Sequence, residues 1–381
     1  MSDGLDGWGG AEFVLAADRL DTPDVIEAAD PGDMLRQVAS AAAQVRTALR
    51  SCAETDLSAF SAEGRPRAIV VAGVGGSALA GEMLNALAGL STPVQVVVSP
   101  AERLPGWVGA TDAVVAVSSS GATQETLALA AEAARRGCRL AGVGAAGSPL
   151  HRIAEQARAP FGDRQQRDGH RPQHGASRLE EVSHQCRPVS ESFVNPGKSL
   201  ALDLVGALPM VWGTSALSRV AARRFAGQLH ENAKYPALWG VLPEVAHTQV
   251  AAFDGPFAPR SSRLSAPGQD APGPGDASDM SGWELDYDDA EPASGFTALR
   301  LILIADPDED QRVAAQRAAV TELAGQRGVG ISELAMDGEH PLVRLAGVIQ
   351  LTDYASVYLA VASGIDPGQT VAIHDLQARI E

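Results

Sequence analysis

Lysine is nearly absent from this chain. Lys198 and Lys234 are its two lysines, and arginine supplies the rest of the 30 basic residues. Against 47 acidic residues the net charge is −17. So little positive charge argues against nucleic acid as a partner, because such binding needs basic side chains to displace counterions. It argues equally against adsorption to anionic membrane surfaces. Cysteine is scarce too. Cys52, Cys138 and Cys186 are odd in number and widely spaced, with no CxxC pair and no zinc spacing. A reducing, cytoplasmic setting is expected. No apolar run reaches about 18 residues, so no transmembrane helix is expected. The acidic start "MSDGLDGWGG" does not have the pattern of a signal peptide.

What is present is enough for two cores. The chain has 381 residues, 45% of them hydrophobic, which suits two domains of about 150 residues each. Short β-branched runs at Ile69 to Val71, Val94 to Ser99, Ala113 to Ser118 and Cys138 to Val143 alternate with helical stretches. That alternation predicts an α/β fold with a parallel sheet covered on both faces. Before them, Leu35, Val38, Ala42, Val45 and Leu49 share helical spacing and predict one helix leading into the first domain. Residues 160 to 190 are polar and lack clear periodicity. They read as a linker or mobile segment, with a short helix around Leu179 to Val182. Further on, Leu217, Val220, Ala221, Phe225 and Leu229 form one helical stripe that Pro236 should stop, which puts "HENAK" at a helix end. "ALRLILIAD" is a buried strand, and "PLVRLAGVIQLTDYASVYLAVASG" is a mostly apolar helix. Residues 255 to 295 are rich in Pro, Gly, Ser and Asp and read as a disordered or lid-like loop.

Two strand-to-helix loops have the chemistry of an anion site. "GVGGSAL" offers backbone N–H groups at Gly75 and Gly76 and the Ser77 hydroxyl. Gly73, Gly75 and Ala78 also fit G-x-G-x-x-A. That dinucleotide pattern is weak alone, and no acidic residue ends the second strand. "VSSSGATQETL" is sharper. Ser118, Ser120 and Thr123 surround Gly121 at the carboxyl end of a strand, where three hydroxyls and turn N–H groups form a cradle for a phosphate monoester. Serine and threonine at such a turn also serve as plain helix caps.

The loops "GVGGSALAGEM" and "SSSGAT" resemble those of the sugar isomerase (SIS) domain. "HENAKYPALWGVLPEVAHTQVAAFDG" and "LTDYASVYLAVASGIDP...AIHDLQARI" resemble the bifunctional phosphoglucose/phosphomannose isomerase family. That resemblance implies two SIS domains, each a parallel sheet flanked by helices. Residues 1–160 would be the first with its leading helix, 161–188 a linker, and 189–381 the second. It further implies metal-free interconversion of glucose, mannose and fructose 6-phosphates in a homodimer whose active site is completed across subunits. By the same resemblance Glu231 is the base, supported by Asn232 and Lys234, and His247 opens the sugar ring from the partner subunit. Thr370 leaves room for either C2 epimer.

Two departures from the family pattern bear on the chemistry. Gln377 stands where the family has a ring-opening Lys, and an amide neither donates that proton nor carries charge. His374 shares the helix face of Thr370 and Gln377 and is the candidate substitute. The family's enediolate-stabilising Arg has no convincing match. Arg164, Arg167 and Arg171 fall in the right stretch but in the wrong context. A non-catalytic sugar-phosphate-binding protein, acting as a sensor, is therefore the alternative to an isomerase. A nucleotide-dependent enzyme, resting on G-x-G-x-x-A alone, is a weaker third.

Overall fold

The β-branched runs form strands, and their order in the sheets creates the places where a ligand can sit. The structure is a computed structural model that describes residues 9–58, 64–89, 92–100, 103–163, 174–258 and 298–380. It is an α/β fold with two parallel sheets flanked by helices. The first sheet has the order β2-β1-β3-β4-β5, from β1 (Ala68–Ala72), β2 (Gln95–Ser99), β3 (Ala113–Val117), β4 (Arg139–Gly144) and β5 (Phe161–Asp163). The second has the order β7-β6-β8-β9, from β6 (Ala207–Gly213), β7 (Leu238–Val241), β8 (Ala298–Ala305) and β9 (Gly330–Ala335).

Each sheet is buried on both faces, as all-parallel sheets require. In the first, Val70, Ala72, Val114 and Ala116 face Leu129, Ala130 and Ala133 of one helix and Leu150 of the next. Those helices are α6 (Gln124–Arg135) and α7 (Pro149–Gln156). On the other face α5 (Ala78–Ala88) approaches closely, and a Cβ on its Gly81 would lie 2.7 Å from the Val71 Cβ. In the second sheet Val211, Ile302 and Ile304 face one core, while Met210, Trp212, Leu301 and Leu303 face another. The period-2 alternation of one strand thus divides between two cores. The helix α10 (Ala216–Glu231) buries the whole expected stripe, from Leu217 to Leu229.

The leading segment differs from expectation. It breaks at Ser40 into α3 (Met34–Ala39) and α4 (Ala41–Glu54), after α1 (Gly9–Leu20) and α2 (Pro23–Ala29). Leu35 and Ala42 are buried, but Val45 and Leu49 are exposed. Ala16, Leu20, Ile26 and Leu35 pack into the core of the second sheet, not the first. Arg19 Nη1 donates to the Ala362 carbonyl at 2.8 Å, fixing the same association.

The segment expected as a linker also holds regular structure. Phe161–Asp163 pairs with β4, and α8 (His174–Gln185) runs well beyond the short helix predicted around Leu179. Ala176, Leu179, Val182 and Cys186 are all buried, at helical spacing. Residues 164–173, with Arg164, Arg167 and Arg171, lie outside the described residues, as does most of the loop expected at 255–295.

The remaining helices are α9 (Pro196–Leu204), α11 (Gln311–Gln326), α12 (Pro341–Ala362) and α13 (Val371–Ile380). Among the described residues α12 alone is long and apolar enough to cross a membrane, but 83% of its most apolar window is buried. It is a core helix: Leu345, Val357, Tyr358 and Leu359 are fully enclosed.

Candidate functional site

Strand order reverses between β1 and β3, and ligands of open parallel sheets bind beyond the strands' carboxyl ends at such a reversal. The two predicted anion loops leave from this point. They run so close that a Cβ on Gly73 would lie 3.1 Å from the Val117 carbonyl oxygen. Gly75 has a left-handed backbone (φ 57), and Gly75 and Gly76 are exposed with nothing near their Cβ positions. Ser77 is half-buried and does not cap α5.

The second loop is organised by its own hydroxyls. Ser118 is 2% exposed, and its Oγ lies 2.9 Å from Thr123 Oγ1 and accepts from Gly121 N at 3.1 Å. Ser120 Oγ accepts from Ala122 N at 3.2 Å. Thr123 is the N-cap residue of α6, yet its side chain makes no capping bond. The plain capping role is therefore not what this threonine performs. The first N–H groups of α6 keep their capacity for an anion, and the helix dipole favours one. Gly121 adopts φ 68, and a Cβ there would lie 2.1 Å from Ser148 Oγ, so the turn accepts only glycine. Ser148 itself caps α7, accepting from His151 N at 3.2 Å.

The second sheet reverses in the same way between β6 and β8, but its own chain fills the reversal. Asp306 follows β8 as Ser118 follows β3, and it is 4% exposed. Ser215 Oγ donates to Asp306 Oδ2 at 2.6 Å, and Asp306 N donates to Thr214 Oγ1 at 3.0 Å. Arg344 lies 3.3 Å from Asp306 Oδ1 and also pairs with Asp308. A resident carboxylate thus occupies the place where the first sheet offers hydroxyls and free N–H groups. Nothing in the sequence pointed to this network, because its partners are far apart in the chain, Ser215 and Asp306 by 91 positions.

Glu231 is the last residue of α10 and is exposed. Helix α10 is tied to α5, since Arg223 pairs with Glu82, a buried carboxylate of that helix. Leu79, Met83, Ala86 and Leu87 of α5 pack against the core that holds Phe225 and Leu229. The loop that opens α5 and the carboxylate that ends α10 are therefore carried by two helices in direct contact. Arg224, two turns before Glu231, forks onto Asp353 with bonds of 3.0 and 2.6 Å. Burial works against the Arg224 charge, but Asp353 and then Glu231 hold its pKa above the ordinary value. This is a cation near Glu231 that the sequence alone did not reveal.

Asn232 is buried and donates to Ser356 Oγ at 2.8 Å. Lys234, with φ 55, turns the chain out of the helix before Pro236 is reached. Its Nζ donates to the carbonyls of Asn232, Asp366 and Pro367 at 3.1, 2.9 and 3.4 Å. These bonds bring the "HENAK" end beside the turn that leads to Thr370. Thr370 is half-buried, and its carbonyl accepts from His374 N, opening α13. His374 and Gln377 are exposed on that helix. His247 is exposed in the 3₁₀ turn Glu244–His247. Among the described residues no hydrogen bond joins His247 to Glu231, Thr370 or Gln377.

Residues 193–380 match the family of the bacterial phospho-glucose isomerase C-terminal SIS domain. The bifunctional phosphoglucose/phosphomannose isomerase of Caldicellulosiruptor bescii is 23% identical over 344 residues, which cover 82% of this chain and 89% of that protein. Its namesake from Aquifex aeolicus is 24% identical over 331 residues, covering 83% and 91%. Among solved structures, a hypothetical protein of Thermus thermophilus superposes with a TM-score of 0.57 at 15% identity, covering 99% of this chain and 91% of its own. A glucose-6-phosphate isomerase like protein of the same organism gives 0.50 at 14% identity, with 94% and 98% covered. At these identities the structural likeness speaks for the fold alone.

Proposed function

We propose, for a chain whose residues 193–380 match the bacterial phospho-glucose isomerase C-terminal SIS family, that it interconverts mannose 6-phosphate or glucose 6-phosphate with fructose 6-phosphate. The observation that carries this is the uncapped cradle of Ser118, Ser120 and Thr123 at the β1/β3 reversal. It is an anion site with uncapped helix N–H groups, beside the loop that opens α5, and α5 packs against α10, the helix that ends in Glu231.

The phosphate is bound by the cradle and by the N–H groups of Gly75 and Gly76, with Ser77 adding a hydroxyl. Glu231 then removes the C2 proton of the open-chain aldose as O1 gains a proton. The resulting enediol is reprotonated at C1 by the same carboxylate, while the O2 proton leaves, giving the ketose. Such proton transfer by a placed base is worth about 10²–10⁴-fold. Thr370 faces the C2 hydroxyl and accepts both epimers. His247 reaches the ring oxygen from the partner subunit of a homodimer. The exposed apolar residues Val371 (59%), Ile373 (44%) and Leu376 (60%) of α13 support a second copy covering that helix.

The test is a coupled assay of the purified protein with mannose 6-phosphate and glucose 6-phosphate. Turnover that is lost in Glu231→Gln, with sugar-phosphate binding kept, is the expected result. Because Gln377 stands at the ring-opening position, Gln377→Lys should raise the rate. Tight sugar-phosphate binding without turnover in either form would favour the sensor reading instead.

A further inference from the structure

Helix α13 would carry Gln377 and follows directly on Thr370, two of the proposed active-site positions, yet little of its own subunit holds it. Every described side chain from Val371 to Arg379 is exposed. Within one subunit, where the helix stands therefore depends on the turn before it. Pro367 is the last buried residue of the chain among those described. Within the turn, Asp366 Oδ1 accepts from Gly368 N at 2.8 Å, which shapes it locally but ties it to nothing else. The tie comes from Lys234. Its Nζ reaches across to Asp366 O at 2.9 Å and Pro367 O at 3.4 Å, and holds Asn232 O at 3.1 Å. An ammonium has three donors and no acceptor capacity, and here all three point at carbonyls.

The backbone of Lys234 is equally telling. It is one of three non-glycine residues with positive φ among those described. The left-handed conformation costs a side-chain-bearing residue about 1–2 kcal/mol, and glycine takes it freely at helix ends. A lysine at a glycine position, in a chain with only two lysines, implies that the side chain is needed there.

We infer that Lys234 is a positioning residue: its ammonium fixes the turn at Asp366 and Pro367, and so sets where Thr370 and α13 stand relative to Glu231. This rests on the isomerase proposal for its catalytic consequence. A misplacement of about 1 Å costs on the order of 10²-fold in rate. The phosphate loops lie on the first sheet and are not touched by Lys234, so the loss should fall on kcat and not on KM.

Two variants separate side chain from backbone. Lys234→Met removes the donors and keeps the stem. Lys234→Gly removes the donors and relieves the strained φ. Both should lower kcat by about 10-fold or more, with KM for the sugar phosphate within about threefold. Both should also speed hydrogen–deuterium exchange over residues 366–380, while exchange elsewhere and the far-ultraviolet circular dichroism stay as in the native protein. Native exchange over 366–380 in both variants overturns the inference whatever happens to the rate. So does native kcat in Lys234→Gly, which would show that only the left-handed turn is required. If the native protein turns over no sugar phosphate, the isomerase proposal fails, and the exchange measurement still decides whether Lys234 anchors α13.

Discussion

Gly121→Ala should cost far more stability than any other small change in the two anion loops. At φ 68 an alanine pays about 1–2 kcal/mol for the left-handed backbone. Its Cβ would also lie 2.1 Å from Ser148 Oγ and 2.4 Å from Ser148 Cβ. No rotamer change relieves a contact with Cβ, so Ser148 or the turn must move. Ser148 caps α7 through His151 N, and a lost cap costs about 1 kcal/mol. The Gly121 carbonyl accepts from Leu150 N at 3.0 Å in the same helix, so the turn cannot shift alone. The expected loss is about 2–3 kcal/mol, read from equilibrium denaturation in guanidinium at constant slope. Gly76→Ala is the control. Nothing lies within 4 Å of a Cβ there, so stability should hold, while KM for the sugar phosphate rises because a methyl group stands where the phosphate approaches. A Gly121→Ala loss below about 1 kcal/mol, or an equal loss in Gly76→Ala, would refute the account of the turn.

Asp306→Ala should cost about 2–3 kcal/mol, because Arg344 and Ser215 lose a buried partner while Arg344 keeps Asp308. An Asp306→Ala protein as stable as the native one would show that the second reversal is not held by this carboxylate. Acid should weaken the first sheet through Asp112, which Arg67 grips with bonds of 3.0 and 2.6 Å. That hydrogen-bonded guanidinium holds the Asp112 carboxyl below its ordinary value. The native state therefore binds fewer protons than the unfolded chain. This contribution is complete above the ordinary carboxylate pKa of about 3.9 and is lost as pH falls through the lower native value. The urea midpoint of Asp112→Asn should fall less steeply with acid than that of the native protein, and equal slopes would refute the assignment.

Much of this fold was legible in one sequence because its strands are short, β-branched and bounded by turns. The runs at Ile69, Ala113 and Cys138 lie within β1, β3 and β4 or overlap them to within a residue. The stripe from Leu217 to Leu229 is a helix buried along one face. What escaped was structure made of polar residues. A strand of three residues, Phe161–Asp163, has no periodicity to read. The stripe of Ala176, Leu179, Val182 and Cys186 was hidden by the arginine, histidine and glutamine between and before its members. The end of α10 was placed at Pro236, but Lys234 ends the regular path earlier by adopting φ 55. A tertiary tether to Asp366 and Pro367 favours that conformation, and no local propensity foretells it.

The two sheets share a reversal, and the residue that follows the third strand in each decides what that reversal can do. Ser118 brings a neutral hydroxyl, spends it on Thr123 and Gly121, and leaves the helix N-terminus beyond it uncapped. Asp306 brings a charge, takes the Ser215 hydroxyl and draws in Arg344. An arriving phosphate would meet donors at the first and a carboxylate already holding them at the second, where like charges repel by Coulomb's law at short range. Among the described residues the second unit therefore has no open phosphate site of this kind. In the proposed isomerase its contributions are the helix end at Glu231 and the helix that follows Thr370, which Lys234 ties together. A division of this sort, anchor on one sheet and chemistry on the other, makes the contact between α5 and α10 part of the site. In the proposed isomerase Arg223 and Glu82 would hold the distance between the phosphate loops and Glu231, although neither side chain need touch the sugar.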